Sequence, residues 1–254
     1  VLATAVVLNR GDDGTDPPEP SSGSEAVQAE EGDCFANEGS LRDPELTPMG
    51  ECESGAFEVL RVVHGSAAEA ACEGTPLSDL TAVQPEQDVT LCLTYRHGEE
   101  DVYHAREGDC VEEYDFGDDR WMLEDCSTGD FTVVERLEGT SDDSGCDRSR
   151  PGSYSRPYPV ESWPELDTVL CLSANHPSDI GYAQPSDCLR VSGPEGHRSF
   201  EFADCDGADI ATVTQRKNSY DADDIDAYCG RDGGSGFSPE GFPELAYTAC
   251  WRFL

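Results

Sequence analysis

Apolar residues come in short bursts along this chain, such as Phe57-Glu58-Val59-Leu60-Arg61-Val62-Val63, Phe131-Thr132-Val133-Val134 and Ile210-Ala211-Thr212-Val213, set between Gly, Asp and Ser. Brief runs of β-branched and aromatic residues bounded by turn formers read as β-strands. The bursts recur in a fixed order around the cysteines. A first cysteine stands in Glu31-Gly32-Asp33-Cys34-Phe35, in Glu107-Gly108-Asp109-Cys110-Val111 and, more loosely, in Ser186-Asp187-Cys188-Leu189, with starts 76 and 78 residues apart. A second follows an acidic residue just before each burst (Glu51-Cys52, Asp125-Cys126, Asp204-Cys205), and a fourth lies in Leu91-Cys92-Leu93, Leu170-Cys171-Leu172 and Ala249-Cys250-Trp251. Self-similarity at a fixed period marks a tandem repeat.

Each copy reads as strand, strand, strand, short helix or loop, strand. The third cysteine follows helix-favouring residues in copy one (Ala67 to Ala71, then Cys72) and copy three (Asp221 to Tyr228, then Cys229). Copy two has Thr140-Ser141-Asp142-Asp143-Ser144-Gly145 before Cys146, which gives a helix little support. The expected fold class is mostly β (α+β): three tandem disulfide-stapled small β modules, each with about four short strands and a short helix or loop. The repeats span 31–104, 105–182 and 183–254, and each is expected to fold alone. Ahead of them, 9–30 is free of aromatic residues and rich in Gly, Pro, Ser, Asp and Glu, the composition of a disordered acidic stalk. Residues 1–8 (VLATAVVL) are eight apolar residues where a bilayer span needs about 20. They read as the remnant of a membrane anchor or signal segment whose beginning is missing.

Only 37% of the 254 residues are hydrophobic, too few for one thick core and in keeping with small, covalently stapled units. The 54 acidic residues outnumber the 16 basic ones, for a formal net charge of -38. Such a surface repels phosphate backbones and anionic bilayers, so nucleic acid is excluded as a partner and a membrane is reached only through an N-terminal anchor missing from this chain.

No two of the 12 cysteines lie closer than sixteen positions, so the tight CxxC turns of zinc ribbons and thioredoxin-like sites are lacking. Evenly spread cysteines read as structural disulfides formed outside the cytosol. Four cysteines allow three pairings and the sequence alone does not choose. A helix running back from the third strand would bring the third cysteine beside the second, favouring Cys52–Cys72, Cys126–Cys146 and Cys205–Cys229 and leaving Cys34–Cys92, Cys110–Cys171 and Cys188–Cys250.

Chemistry-bearing motifs are sparse. No Gly-x-Ser-x-Gly elbow, GxxxxGK[ST] loop or GxGxxG loop occurs, and no catalytic residue, cofactor or metal ligand is assigned. The five histidines (His64, His97, His104, His176, His197) read as occupying no equivalent positions in the copies. His97 and His104 flank the first junction, where they read as exposed loop residues ahead of a shared ligand pair. Asp33, Asp109 and Asp187, each before a first cysteine, read as acceptors of turn N–H groups. Asp221, Asp223, Asp224 and Asp226 lack the EF-hand pattern and read as a solvated acidic helix start. Trp121, Trp163 and Trp251 sit at different places in their copies, favouring packing over a sugar-stacking surface. Pro164-Glu165-Leu166 and Pro243-Glu244-Leu245 read as matched loops.

The elements Gly32-Asp33-Cys34-Phe35, Asp125-Cys126-Ser127, Leu91-Cys92-Leu93 and Leu170-Cys171-Leu172 resemble the LppU-like envelope proteins of actinobacteria, relatives of the septum-formation domain family. The resemblance covers residues 31 to 254 as three copies; Ala249-Cys250-Trp251 departs from it. It implies a secreted or membrane-tethered location and no particular activity, and no lipobox cysteine follows the apolar start. The expectation is a non-enzymatic extracytoplasmic repeat protein presenting a binding or structural surface in the cell envelope to an unidentified protein or glycan. The alternatives are a hydrolase-like envelope enzyme with one asymmetric polar cleft at a repeat junction, and a divalent-cation-dependent binding module. Oligomeric state is left open.

Overall fold

The computed structural model describes residues 29–98, 102–113, 121–149, 151–239 and 241–254; the apolar start and the stalk up to residue 28 lie outside them. Among the described residues no helix is long and apolar enough to cross a membrane.

Each copy forms one five-stranded antiparallel sheet. The first holds β1 (Cys34–Asn37), β2 (Leu46–Met49), β3 (Phe57–His64), β4 (Leu80–Gln84) and β5 (Val89–Tyr95). The second holds β6 (Cys110–Glu113), β7 (Trp121–Glu124), β8 (Phe131–Glu138), β9 (Ser153–Tyr158) and β10 (Thr168–Ala174). The third holds β11 (Cys188–Ser192), β12 (Ser199–Phe202), β13 (Ile210–Lys217), β14 (Gly233–Phe237) and β15 (Tyr247–Phe253). Strand order is β2-β1-β3-β5-β4, repeated as β7-β6-β8-β10-β9 and β12-β11-β13-β15-β14. The long third strand of each sheet carries an unpaired bulge residue at the same place, Leu60, Val134 and Thr214. An extra residue there sharpens the local twist and bends the strand. The mostly β reading holds, and the three copies are three disulfide-stapled modules.

Five strands replace the expected four. The added strand is β4, β9 and β14, and in the last two its pattern is broken by Pro157 and by Gly233, Gly234 and Gly236. It lies at a sheet edge, where proline and glycine are tolerated. In β14 glycine is required: a Cβ on Gly233 would sit 2.4 Å from the Trp251 ring, and one on Gly234 would sit 2.1 Å from Ile225 Cγ2. The third cysteines of copies one and two follow or end the short 3-10 turns Glu69–Cys72 and Asp143–Gly145; in copy three the helix α1 (Ile225–Cys229) ends on it.

The disulfide pairing differs from the one expected. The bridges are Cys34–Cys52, Cys72–Cys92, Cys110–Cys126, Cys146–Cys171, Cys188–Cys205 and Cys229–Cys250, first to second and third to fourth in every copy, and no cysteine is free. Two features of the topology cause this. Cys34 lies opposite Met49 in the β1–β2 pair, so Cys52, three residues further on, falls beside it. After β3 the chain crosses β5 to place β4 at the far edge, rather than turning back to the start of β3, and the third cysteine comes to rest over Cys92. Each bridge closes a loop of 16 to 25 residues, worth about 3 kcal/mol in the chain-entropy account.

The apolar interior is not divided the same way as the sheets. Phe35, Phe57, Leu91 and Leu93 of the first copy and Val111, Phe131, Leu170 and Leu172 of the second belong to one continuous cluster, which also takes in Phe242 and Leu245 of the third. The rest of the third copy's core, including Leu189, Phe200, Val213 and Trp251, forms a separate cluster.

Candidate functional site

Both module junctions are built by the same two devices. The first is an aromatic residue held ahead of a proline that opens a 3-10 turn, Trp163 before Pro164–Leu166 and Phe242 before Pro243–Leu245. Proline at the first position of such a turn sacrifices no hydrogen bond and keeps the preceding residue extended. Trp163 packs edge-on against Phe57 and Tyr95 of the first module, at 5.1 and 6.0 Å. Phe242 packs in the same way against Phe131, Trp121 and Tyr154 of the second, at 4.7, 5.9 and 5.6 Å. At the matching place in the first module Gln84 precedes Pro85–Gln87. The matched loops are therefore inter-module plugs.

The second device is an arginine that grips the incoming linker. Arg136 on β8 and Arg216 on β13 each pair with the residue before a fourth cysteine, Leu170 and Ala249. Arg136 donates to the Tyr103 carbonyl and, at 3.2 Å, to Thr168 Oγ1. Arg216 donates to three carbonyls, those of Ile180 and Ala183 at 3.2 Å and of Gly181 at 2.9 Å. A planar guanidinium suits a curved linker because its donors fan out in one plane.

The first junction also holds a polar cluster under a cleft of about 320 Å³. Asp79, just ahead of β4, accepts the Tyr95 N–H at 2.7 Å and the Thr94 hydroxyl at 3.2 Å. His104 Nε2 lies 2.9 Å from the Tyr95 carbonyl, 2.8 Å from Thr94 Oγ1 and 3.5 Å from Asp79 Oδ2. Burial raises the Asp79 carboxyl above its ordinary value, opposed by the Tyr95 N–H, His104, the Thr94 hydroxyl and Arg136. Burial likewise pushes the Tyr103 phenol up to about 12; its hydroxyl donates to the Leu166 carbonyl. The cleft wall is completed by Glu138, Glu165 and Asp167. At the second junction the place of His104 is taken by Tyr182, whose hydroxyl donates to the Ala174 carbonyl at 2.8 Å, the counterpart of the Tyr95 carbonyl.

The groups of this cluster are hydrogen-bonded to one another and to the backbone of Tyr95. A carbonyl only accepts, so in the bond to Tyr95 it is Nε2 of His104 that carries the proton, and the nitrogen nearest Asp79 is spent as a donor. Ser78, the serine next to Asp79, turns its hydroxyl toward the Leu80 carbonyl, 3.4 Å away. Among the described residues Ser78 and His104 are not hydrogen-bonded to each other.

The other candidate residues fall as follows. Asp33, Asp109 and Asp187 accept the N–H three residues back, from Glu30, Arg106 and Gln184, each at 2.7 Å, the turn role expected of them. Trp121 and Trp251 are buried in cores, and Trp163 is the plug. Asp221 accepts the Asp223 N–H and Asp224 pairs with Lys217 at 2.8 Å. Among the described residues no group of three or more metal-binding side chains occurs.

The histidines need correction. His97 and His176 both stand five residues after a fourth cysteine and do occupy equivalent positions. Neither His97 nor His104 is an exposed loop residue: both are half-buried, His97 stacking on Tyr103 at 5.5 Å and packing on Tyr158 at 4.9 Å. His176 packs on Phe237, the counterpart of Tyr158, at 6.0 Å. Counting from the cysteine shows the match; Arg136 and Arg216 share the pattern Thr-Val-x-x-Arg within their bursts (Thr132-Val133 and Thr212-Val213), whereas Asp79 stands in no such shared pattern. No known family model matches the chain, and no curated protein or solved structure is significantly similar to it.

Proposed function

We propose that this is a non-enzymatic repeat protein of the bacterial cell envelope, membrane-tethered or secreted, whose three modules present a binding or structural surface to another envelope protein or glycan. Six disulfides fit an oxidising, extracytoplasmic setting. The observation that carries the reading is the repeated junction: plug and arginine grip recur where the modules meet, and buried polar groups at the cleft floor are committed to that joint. Such construction suits a scaffold of set spacing. The resemblance of the cysteine-centred motifs to those of LppU-like proteins supports the same location.

One observation favours the enzyme alternative, namely that the His104–Asp79 pair lining the cleft at the first junction is not repeated at the second, where Tyr182 stands in the place of His104. Cross-linking in intact envelopes, followed by capture with oxidised and with reduced chain, tests the main reading; a defined partner should be retained by the oxidised form alone. A hydrolytic activity abolished by both His104→Ala and Asp79→Asn would overturn it in favour of the enzyme.

A further inference from the structure

We propose that the second junction is an acid-sensitive hinge, in which protonation of His176 parts the third module from the second along their shared linker. His176 is 9% exposed, and its ring fills a box contributed by both modules. Tyr182 of the linker lies 4.8 Å away, and Tyr247 and Phe237 of the third module lie 5.0 and 6.0 Å away. Glycine is needed on two sides. A Cβ on Gly152 of the second module would come 2.8 Å from Nε2, and one on Gly181 would come 2.3 Å from the His176 Cβ and Cγ.

Both ring nitrogens are buried without a hydrogen-bond partner. A neutral imidazole tolerates this at moderate cost; an imidazolium with no acceptor does not. The charged and titratable groups around it make matters worse. Tyr182 spends its hydroxyl on the Ala174 carbonyl, and Arg216 lies over the Tyr247 ring, 4.8 Å from its centre. Among the described residues no carboxylate contacts His176 or Arg216. Protonation thus sets a second cation in the same apolar enclosure, and the ring reaches water only if Phe237 and Tyr247 draw away from Gly152 and Ala174. Burial first, and the Arg216 charge second, lower the His176 pKa from 6.5 to about 4. His97, its counterpart at the first junction, is less deeply buried. Opening by this route is therefore a property of the second joint, leaving the third module's own core and bridges intact.

If the open form titrates as a free histidine, linkage multiplies its population roughly 30-fold between pH 7.5 and pH 5. The test is amide protection along 175–183 in the full chain, measured by hydrogen exchange at both pH values in 0.5 M NaCl and corrected for intrinsic exchange chemistry. Protection there should fall by that factor while the centres of β13 and β15 hold, and His176→Phe should remove the effect. Unchanged protection in the native chain, or an equal fall in the variant, overturns the proposal. Should the variant not fold, NMR titration of the native ring decides. A ring titrating near 4, with protection lost in step, supports the hinge; one titrating near 6.5 with protection retained overturns it.

Discussion

Trp163 of the second module meets Phe57 of the first edge to face, with ring centres 5.1 Å apart, and Phe242 repeats the contact on Phe131 one module further along at 4.7 Å. Phe57 and Phe131 are equivalent residues, each opposite the residue after a first cysteine, Phe35 and Val111. The array is therefore joined by a rule: the turn before one module's last strand fills the apolar mouth of the module before it. Because that mouth opens onto the core, the joint and the module interior are one packing problem.

Removing a plug should consequently cost as much as removing a core residue. Phe242→Ala, at a site 6% exposed, is expected to lower unfolding free energy by about 3 kcal/mol, and Trp163→Ala, at a partly buried site, by about 2 kcal/mol. Denaturant melts check both. A loss under about 0.5 kcal/mol for Phe242→Ala, the range of an ordinary surface change, would mean that the plugs only rest on their neighbours.

The arginine grips give a second test. Arg216→Met keeps much of the stem's bulk but strips three buried carbonyls of their donor, for an expected loss on the order of 3 kcal/mol. Arg216→Lys should recover part of it, since an ammonium cannot span the same fan of acceptors. Full recovery by lysine would show that charge matters at this site and geometry does not.

Non-reducing peptide mapping should recover six within-copy bridges, Cys34 with Cys52 and Cys72 with Cys92 and their counterparts. A fragment linking Cys34 to Cys92 would contradict the sheet order itself, because β1 and β5 lie on opposite sides of β3.

The three copies, their mostly β character and the use of every cysteine within its own copy were legible in the sequence, because the cysteines punctuate each copy at matched distances from short Val- and Phe-rich bursts. The pairing was not. It depends on β4, and the edge strands Ser153–Tyr158 and Gly233–Phe237 lack the alternation that announces a strand. Without β4 the segment after β3 had no reason to cross β5, and the return path looked natural. The site was harder still. Pro164-Glu165-Leu166 and Pro243-Glu244-Leu245 stood out as a match, yet what each touches lies far back in the chain, and spacing says nothing of that. His97 and His176 show the reverse case: their shared distance from a fourth cysteine was open to inspection, and only the junction gave it meaning.

Asp79 predicts a pH dependence of definite sign. Burial raises its folded-state pKa above the ordinary 3.8, so its contribution is fully present below that value and is lost as pH rises through the folded one. The wild-type chain should therefore lose more stability than Asp79→Asn as pH rises from about 4 toward neutrality. Urea melts at pH 4 and pH 7 measure the difference; a larger loss in the variant would show that the Tyr95 N–H and His104 outweigh desolvation.

The formal charge of -38 should make salt a stabiliser, and the kind of salt distinguishes two causes. Self-repulsion among scattered carboxylates is relieved by ionic strength alone, since the Debye length falls from about 30 Å at 0.01 M to about 3 Å at 1 M. A built cation site would instead respond to calcium at concentrations too low to screen, by mass action on the folded state. One dense acidic stretch, Asp221 to Asp226, already has internal duties: Asp221 caps the turn ahead of α1 and Asp224 holds Lys217, the only lysine in the chain. Repulsion is therefore expected to dominate. The melting temperature should climb steadily with sodium chloride and should not change when millimolar calcium replaces sodium at fixed ionic strength. A rise of several degrees with calcium alone would transfer the explanation to a specific site and favour the cation-dependent binding module over the screened scaffold.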